Sequence, residues 1–312
     1  MLERLLPVDQ IDNEISLIKH SYDQENGDLW RRIQGIFSPK MRLALTIGII
    51  IGVVQQITGI NAIFFYAPTI FEQSGIGTDA AFAQAVLVGL INVVFTLVAI
   101  ALIDRWGRRP LLLTGLTGIV LSMALCTFGF SQATYELKPE GLIQIKTIEN
   151  IDAHIDLAQL NNIVGVVYES DTAFKQSLTG TIGSSAAQKF ESDFIKASIN
   201  INALLILVGI LGFVASFAMS LGPVMWALFS EIFPNQFRAV AISFVGMINS
   251  LVSFFVQLFF PIELSVFGAA LTFFSYCIFA FIGLVLVAKL LPETKGKSLE
   301  EVELMFAGKP KP

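Results

Sequence analysis

The sequence predicts an all-α membrane protein with six transmembrane helices, and three observations predict it. The first is composition. Of 312 residues, 54% are hydrophobic and only 14% charged, with a mean hydropathy of +0.70, too apolar for a soluble core wrapped in a polar shell. A soluble two-domain enzyme is excluded on that ground. The second is a set of six long apolar runs near 43–70, 82–103, 111–131, 199–230, 239–260 and 266–289. A helix needs roughly 20 residues to cross about 30 Å of hydrocarbon, where every backbone amide must be satisfied within its own segment. The runs lack the alternation of barrel strands, so they read as helices. The third is charge placement: the 20 Lys and Arg fall as 6 in 1–42, 3 in 104–109, 5 in 138–196, Arg238 alone and 5 from Lys289 onward. Those islands are the loops.

The same islands orient the chain. Phe71 to Ala81 and Pro261 to Val266 carry no Lys or Arg, Asp104 to Pro110 carries three, and both ends are basic near their spans. The positive-inside rule then puts both termini in the cytoplasm. The expected organisation is a cytoplasmic linker with amphipathic helices over 1–42, three spans in 43–131, an extracytoplasmic insertion at 132–198, three spans in 199–290 and a cytoplasmic tail at 291–312. In the linker Leu2, Leu5, Leu6, Ile11, Ile15 and Ile18 recur near helical spacing, with Pro7 and Asp9 marking a break. The insertion combines an alternating stretch from Leu142 to Ile148, an apolar Ile163 to Val167 and a helix-like Ser185 to Ile199, suggesting a small subdomain. The first 40 residues lack the features of a signal peptide, so the internal spans drive insertion into the lipid bilayer. The lack of any Asn-x-Ser/Thr acceptor favours a bacterial inner membrane over the secretory pathway.

A net charge of -5 and a pI near 5.1 leave no basic surface for nucleic acid. Cys126 and Cys277 sit in apolar runs and read as small core or lipid-facing residues, not a disulfide. The two histidines, His20 and His154, lie outside the spans without a nucleophile, metal-ligand or phosphate motif, so neither catalysis, a metal nor a cofactor is expected.

Function then falls to the uncharged polar residues inside the spans. The first span reads QQITGIN, with Gln55, Gln56 and Asn61 at roughly 0°, 100° and 240° around an ideal helix axis. One straight helix cannot aim all three at one point; Gly59 and Pro68 offer the break that could. Amides supply donors and acceptors without the desolvation cost of a charge, which suits a neutral polyhydroxylated ligand. The alternative is packing, because Gly48, Gly52, Gln55 and Gly59 form a stripe along which another helix could approach, with amides as interhelical glue. Asn92 in the second span and Asn249 near the middle of the fifth are further candidates; each could equally serve a packing seam. In the fourth span Gly222 and Pro223 interrupt the helix just before Trp226, whose ring could hold the C–H face of a sugar or fill bundle volume. Paired interruptions in the first span of each three-helix group point to a transporter site at a repeat interface.

Three charged clusters stand at the cytoplasmic turns: Asp104, Arg105, Arg108 and Arg109 in DRWGRRP, Glu231 and Arg238 in SEIFPNQFR, and Glu293 with Lys295 in PETKG. Their guanidinium and carboxylate groups could latch helix ends in one conformation. The plainer reading is solvated positive-inside charge, which leaves Glu231, between Phe229 and Phe233, unexplained.

QQITGINAIFFYAP, DRWGRRP, GPVMWALFSEIFPNQFR and PETKGKSLEE, in this order, resemble the sugar porter family of the major facilitator superfamily over 43–131 and 199–303. The likeness is to the carboxyl-terminal six helices of bacterial proton-coupled symporters, numbers 7 to 12 of the family's twelve. It implies that Gln55, Gln56, Asn61 and Asn92 match amides that bind sugar hydroxyls, and that Trp226 matches the indole beneath the sugar. Asn249 stands where the family has Gln or Asn, while Ser250 replaces a common Trp and Phe65 a usual Tyr. Arg108, Arg109, Glu231, Arg238 and Glu293 match a cytoplasmic ion-pair network that steadies the outward-open state. Residues 1–42 resemble the linker between the family's two halves. The expectation is therefore the carboxyl-terminal half of a sugar transporter, partnered by an amino-terminal six-helix half that carries the proton-coupling acid. A non-transporting sensor or fragment, or a carrier of polyols, is the alternative.

Overall fold

The structure, a computed structural model, describes residues 29–73, 78–146, 155 and 159–306. The linker positions from Leu2 to Ile18 and both histidines lie outside the described residues. The described part of the linker contains α1 (Leu29–Ile36). The bundle follows as α2 (Arg42–Ile57), α3 (Ile60–Gln73), α4 (Thr78–Trp106), α5 (Arg108–Ser131), α10 (Ala203–Met219), α11 (Leu221–Ile232), α12 (Asn235–Val266) and α13 (Gly268–Leu290), and α14 (Leu299–Phe306) ends the described chain. Between α5 and α10 come β1 (Thr134–Glu136), α6 (Pro139–Lys146), β2 (Val167–Tyr168), α7 (Asp171–Ile182), α8 (Ser184–Lys189), α9 (Glu191–Ser198) and β3 (Ile199–Asn200).

Six helical stretches are long and apolar enough to cross a membrane, and two of them are each built from two helices: α2 with α3, and α10 with α11. The first and fourth are the most buried. Packing centres on α5, which lies against both α13 and α10. Small residues make the α5–α10 approach close: a methyl added at Gly115 would come within 1.8 Å of Ser220 Oγ, and one at Gly209 within 2.4 Å of Cys126 Sγ. In lipid such seams replace the hydrophobic effect, which cannot drive apolar helices together there.

Two boundaries differ from the sequence reading. Pro261 does not end the fifth span; α12 runs through it to Val266, and the turn before α13 is Phe267 alone. The stop signal is Gly268 at φ 79, a left-handed position that a side chain resists, while the Phe267 N–H closes the last turn on Glu263 O at 2.8 Å. In the fourth span the break falls at Ser220, and Pro223 occupies the first turn of α11, where its missing N–H costs no helical hydrogen bond.

The insertion packs around its own apolar cluster of Tyr135, Leu160, Phe174, Leu178, Phe194 and Ile195. Its sheet has the order β2-β1-β3, antiparallel, with Tyr135 opposite both Tyr168 and Ile199. Burial, with the Asp171 charge second, pushes the Tyr135 phenol above its ordinary range. The alternating stretch from Leu142 lies in α6 as far as Lys146 and is helical, because Pro139 at its first position and Glu140 beside it favour a helix start. The helix-like stretch is divided by Phe190 into α8 and α9. Asp171 ties this unit to the bundle: its Oδ2 accepts the Ala269 N–H at the start of α13 at 3.2 Å, and Lys175 bridges it to Glu191 at 3.6 and 2.9 Å. The Asp171 Oδ1 lies 2.1 Å from where a Gly268 Cβ would stand. Gly268→Ala should therefore destabilise the purified chain by about 2 kcal/mol or more in thermal unfolding and speed proteolysis within 132–202. Gly180→Ala, in open helical surroundings, should be neutral or stabilising by up to about 1 kcal/mol.

Candidate functional site

The break between α2 and α3 makes the site. Gly59 adopts φ 89, so the chain turns at Thr58–Gly59 and α3 restarts with a different face toward the bundle centre. Gln55, Gln56 and Asn61, divergent on one straight helix, thereby line one hollow of about 420 Å³, together with Ile60 and Phe64 of α3, Asn92 and Thr96 of α4, Phe217 and Ala218 of α10, and Gly222 and Pro223 of α11. That volume falls in the about 300–1,000 Å³ range of small-molecule sites. Pro68, the other expected break, sits inside α3 without interrupting it.

The amides are linked to each other. Gln56 Nε2 donates to Gln55 Oε1 and Asn249 Oδ1, both at 3.1 Å, and Asn61 Nδ2 donates to Gln56 Oε1 at 2.8 Å and Ser253 Oγ at 2.7 Å. Asn249 Nδ2 donates to Gly52 O at 2.8 Å and Gln55 Oε1 at 2.6 Å. Gln257 Nε2 extends the chain to Ser253 Oγ at 2.9 Å. This web holds α2, α3 and α12 together, so part of the packing reading is correct: Gly48 and Gly52 face Phe233 and Val245, and the amides also act as glue. Capacity is nevertheless left over toward the hollow. The Asn92 amide and Asn61 Oδ1 have no hydrogen bond among the described residues, and Gln55 Nε2 makes only a long 3.4 Å bond to Leu221 O. The hollow thus offers uncharged donors and acceptors beside an apolar wall.

Two candidates fall elsewhere. Asn249 is buried behind the hollow, where its three side-chain hydrogen bonds, to Gly52 O, Gln55 and Gln56, position the two glutamines, so it shapes the site without lining it. Trp226 does not line it either: it is 47% exposed, one turn beyond Gly222 on α11, edge-on to Phe229 at 5.9 Å. Phe65 is likewise exposed, next to the hollow-lining Phe64. The wall residues Phe217 and Ala218 were not legible as site residues, because an apolar pair on an apolar span carries no signal.

At the opposite end of α11 the charged turns form one assembly. Arg108 Nε and Nη2 both reach Glu231 Oε1 at 2.7 Å, Thr294 Oγ1 donates to Glu231 Oε2 at 2.8 Å, and Asp104 lies 3.3 Å from Arg108. Thr294 was missed; its only sequence cue is a hydroxyl between Glu293 and Lys295. Among the described residues Glu293 binds backbone and no guanidinium: it accepts the N–H groups of Arg108 and Arg109 at 3.1 and 3.0 Å, capping α5. Arg109 donates to Ala288 O at 2.8 Å at the end of α13, and Arg238 to Phe233 O at 3.1 Å. Among the described residues the Arg105 side chain forms no ion pair; its carbonyl accepts Lys295 Nζ. Among the described residues the expected network therefore reduces to Arg108 with its two carboxylates, the shielded Glu231 and the exposed Asp104, and a cap beside it. Because Arg108 and Glu231 side chains are only 16% and 18% exposed, Arg108→Ala should cost about 2–3 kcal/mol in thermal unfolding, somewhat under the about 3–5 of a fully buried pair. Arg108→Lys should recover part of that, while loss of the 82% exposed Asp104 should change stability by under about 0.5 kcal/mol.

The model of the family "Sugar (and other) transporter" matches residues 1–145 and 174–306. The arabinose-proton symporter of Bacillus subtilis (strain 168) is 30% identical over 271 residues, covering 87% of this chain and 44% of that protein. The D-xylose-proton symporter of Escherichia coli (strain K12) is 30% identical over 268 residues, covering 84% and 41%. Among solved structures, the proton:xylose symporter XylE bound to 6-bromo-6-deoxy-D-glucose superposes with a TM-score of 0.59 at 27% identity, over 98% of this chain and 50% of that one. The chain thus spans about half the length of the relatives it matches. With its six apolar helices it is an integral, multi-pass membrane protein, and it belongs to the sugar (and other) transporter family of the major facilitator superfamily.

Proposed function

We propose that this chain is one half of a secondary transporter that carries a neutral sugar across the membrane by alternating access, a second six-helix half closing the hollow from its open side. The observation that carries the reading is the hollow itself: Gln55, Gln56, Asn61 and Asn92 converge with spare hydrogen-bonding capacity and no charged side chain among the lining residues. Such a surface repels ions through desolvation cost and rewards hydroxyl groups. The six spans correspond in this reading to helices 7 to 12 of the family.

The open side supports the second half. Trp226 and Phe65, 47% and 69% exposed, stand one helical turn from hollow-lining residues, where a facing half would cover them and complete the pocket. Trp226 then meets the sugar only in the closed assembly. Proton coupling is carried over from the two named symporters; since the lining residues include no carboxylate, the coupling acid of the sugar site would belong to the complementary half. The cation islands put the charged turns and both termini in the cytoplasm, and a bacterial inner membrane suits the relatives' sources. Rocking two halves about a site needs no covalent chemistry, so no catalytic group or cofactor is required.

Coexpression with the amino-terminal half of a bacterial pentose symporter should restore labelled-sugar uptake in a transport-deficient strain. Gln56→Ala and Asn92→Ala should each reduce it at least about tenfold, the size of one lost hydrogen bond to an otherwise buried partner. Uptake indifferent to both substitutions, or sugar binding without flux, would contradict the reading.

A further inference from the structure

Within the membrane-length stretches, which end at Phe71 and resume at Ala83 on either side of the first turn, one carboxyl group belongs neither to the hollow nor to the charged turns. Glu263 lies in the last turn of α12, brought into the helix because the chain continues through Pro261. Its side chain is partly buried, its Oε2 is shut off from solvent and accepts no hydrogen bond among the described residues, and its carboxyl group faces the hydroxyl of Tyr276 on α13. Tyr276 is itself buried, and its ring presses on the helix break: a Cβ at Gly59 would lie 3.1 Å from the ring carbon Cδ1. Phe260 packs on the same ring at 6.2 Å and on Tyr66 of α3 at 5.1 Å. Carboxyl, phenol and the turn between α2 and α3 are thus in series.

We propose that Glu263 is a proton-binding site, and that Tyr276 transmits its protonation state to the Gly59 turn that aims Gln55, Gln56 and Asn61. A carboxylate oxygen without a donor is costly in an apolar setting, whereas the neutral acid fits it without rearrangement. The proton comes from water and returns to it. On its release the carboxylate must draw a donor closer, and the donor facing it is the Tyr276 hydroxyl. Movement of that ring is felt at Gly59, where the turn has no side chain to absorb it.

The other groups around α12 do not compete for this role. From α13 the facing titratable group is Tyr276; among the described side chains of α3 it is Tyr66, on the far side of Phe260. The cations of α1 and α2 (Arg31, Arg32 and Arg42) and Glu231 of α11 lie toward the Asn235 end of α12, about 40 Å along the helix from Glu263 at 1.5 Å per residue. Asp171 of α7, which accepts the Ala269 N–H at the start of α13, is paired with Lys175. The inference does not depend on the sugar reading, since proton binding is measurable without sugar.

Infrared difference spectra of the full chain in phospholipid nanodiscs, recorded during a pH titration, test the site. The wild type should show a protonated-carboxyl band that disappears in Glu263→Gln, and Tyr276→Phe should keep the band but move its midpoint by at least about one pH unit. Hydrogen exchange over residues 55–63, compared at each pH so that intrinsic rates cancel, should change up to about tenfold with pH in the wild type and stay constant in Glu263→Gln. A band unchanged in Glu263→Gln, or identical exchange in the two chains, would overturn the proposal. Should Glu263→Gln not fold, Tyr276→Phe gives the same comparison, an unmoved midpoint counting against it.

Discussion

A helix cannot be broken in hydrocarbon unless its freed backbone groups find other partners, and the site depends on how this chain meets that condition at Thr58–Gly59. The Gly59 N–H returns to Gln56 O at 3.0 Å, Thr58 Oγ1 donates to Gln55 O at 2.9 Å, and the Ile63 N–H closes on Gly59 O at 3.0 Å. The turn is therefore satisfied internally, and the cost of a positive φ is small because the residue is glycine. Everything downstream follows from it: α3 resumes with Asn61 turned toward the side where Gln55 and Gln56 already point.

The supporting structure holds that turn from three directions. Asn249 on α12 satisfies Gly52 O and orients both glutamines. Tyr276 on α13 packs against Gly59 itself. The break at Ser220 lets Gly222 and Pro223 of α11 complete the opposite wall. The charged turns tie the far ends of α4, α5, α11 and α13 through Arg108–Glu231 and the Glu293 cap, so they steady the helices that carry the site without touching it. The insertion grips the start of α13 through Asp171, at the end of the bundle away from those turns.

What was legible in the sequence was whatever physics makes local. Span number follows from length and apolarity, and the need for a break follows from three amides at incompatible helical angles. The shared hollow of Gln55, Gln56 and Asn61 was readable for that reason, and Asn92 joins it from α4. What was not legible depends on neighbours far along the chain. Trp226 carries the same local pattern whether it faces a ligand or an open flank, and only the packing of α11 decides. Asn249 looks like a ligand-binding amide until Gly52 O and Gln55 are seen to consume its hydrogen bonds. Glu293 has the chemistry of an ion-pair partner, yet the start of α5 lies closer than any guanidinium. Pro261 reads locally as a terminus, yet a proline in a long membrane helix costs less than its local rule suggests, and reading it as a stop leaves Glu263 in a loop.

The most direct measurement of the central claim is ligand protection of single cysteines. With Cys126 and Cys277 replaced by alanine, the variants Gln55→Cys, Asn61→Cys and Asn92→Cys would be alkylated in the presence and absence of a panel of pentoses and hexoses. One sugar should slow all three together, and adding Gly59→Ala should abolish that protection by straightening the turn. Protection at a single position, or protection that survives Gly59→Ala, would contradict the account.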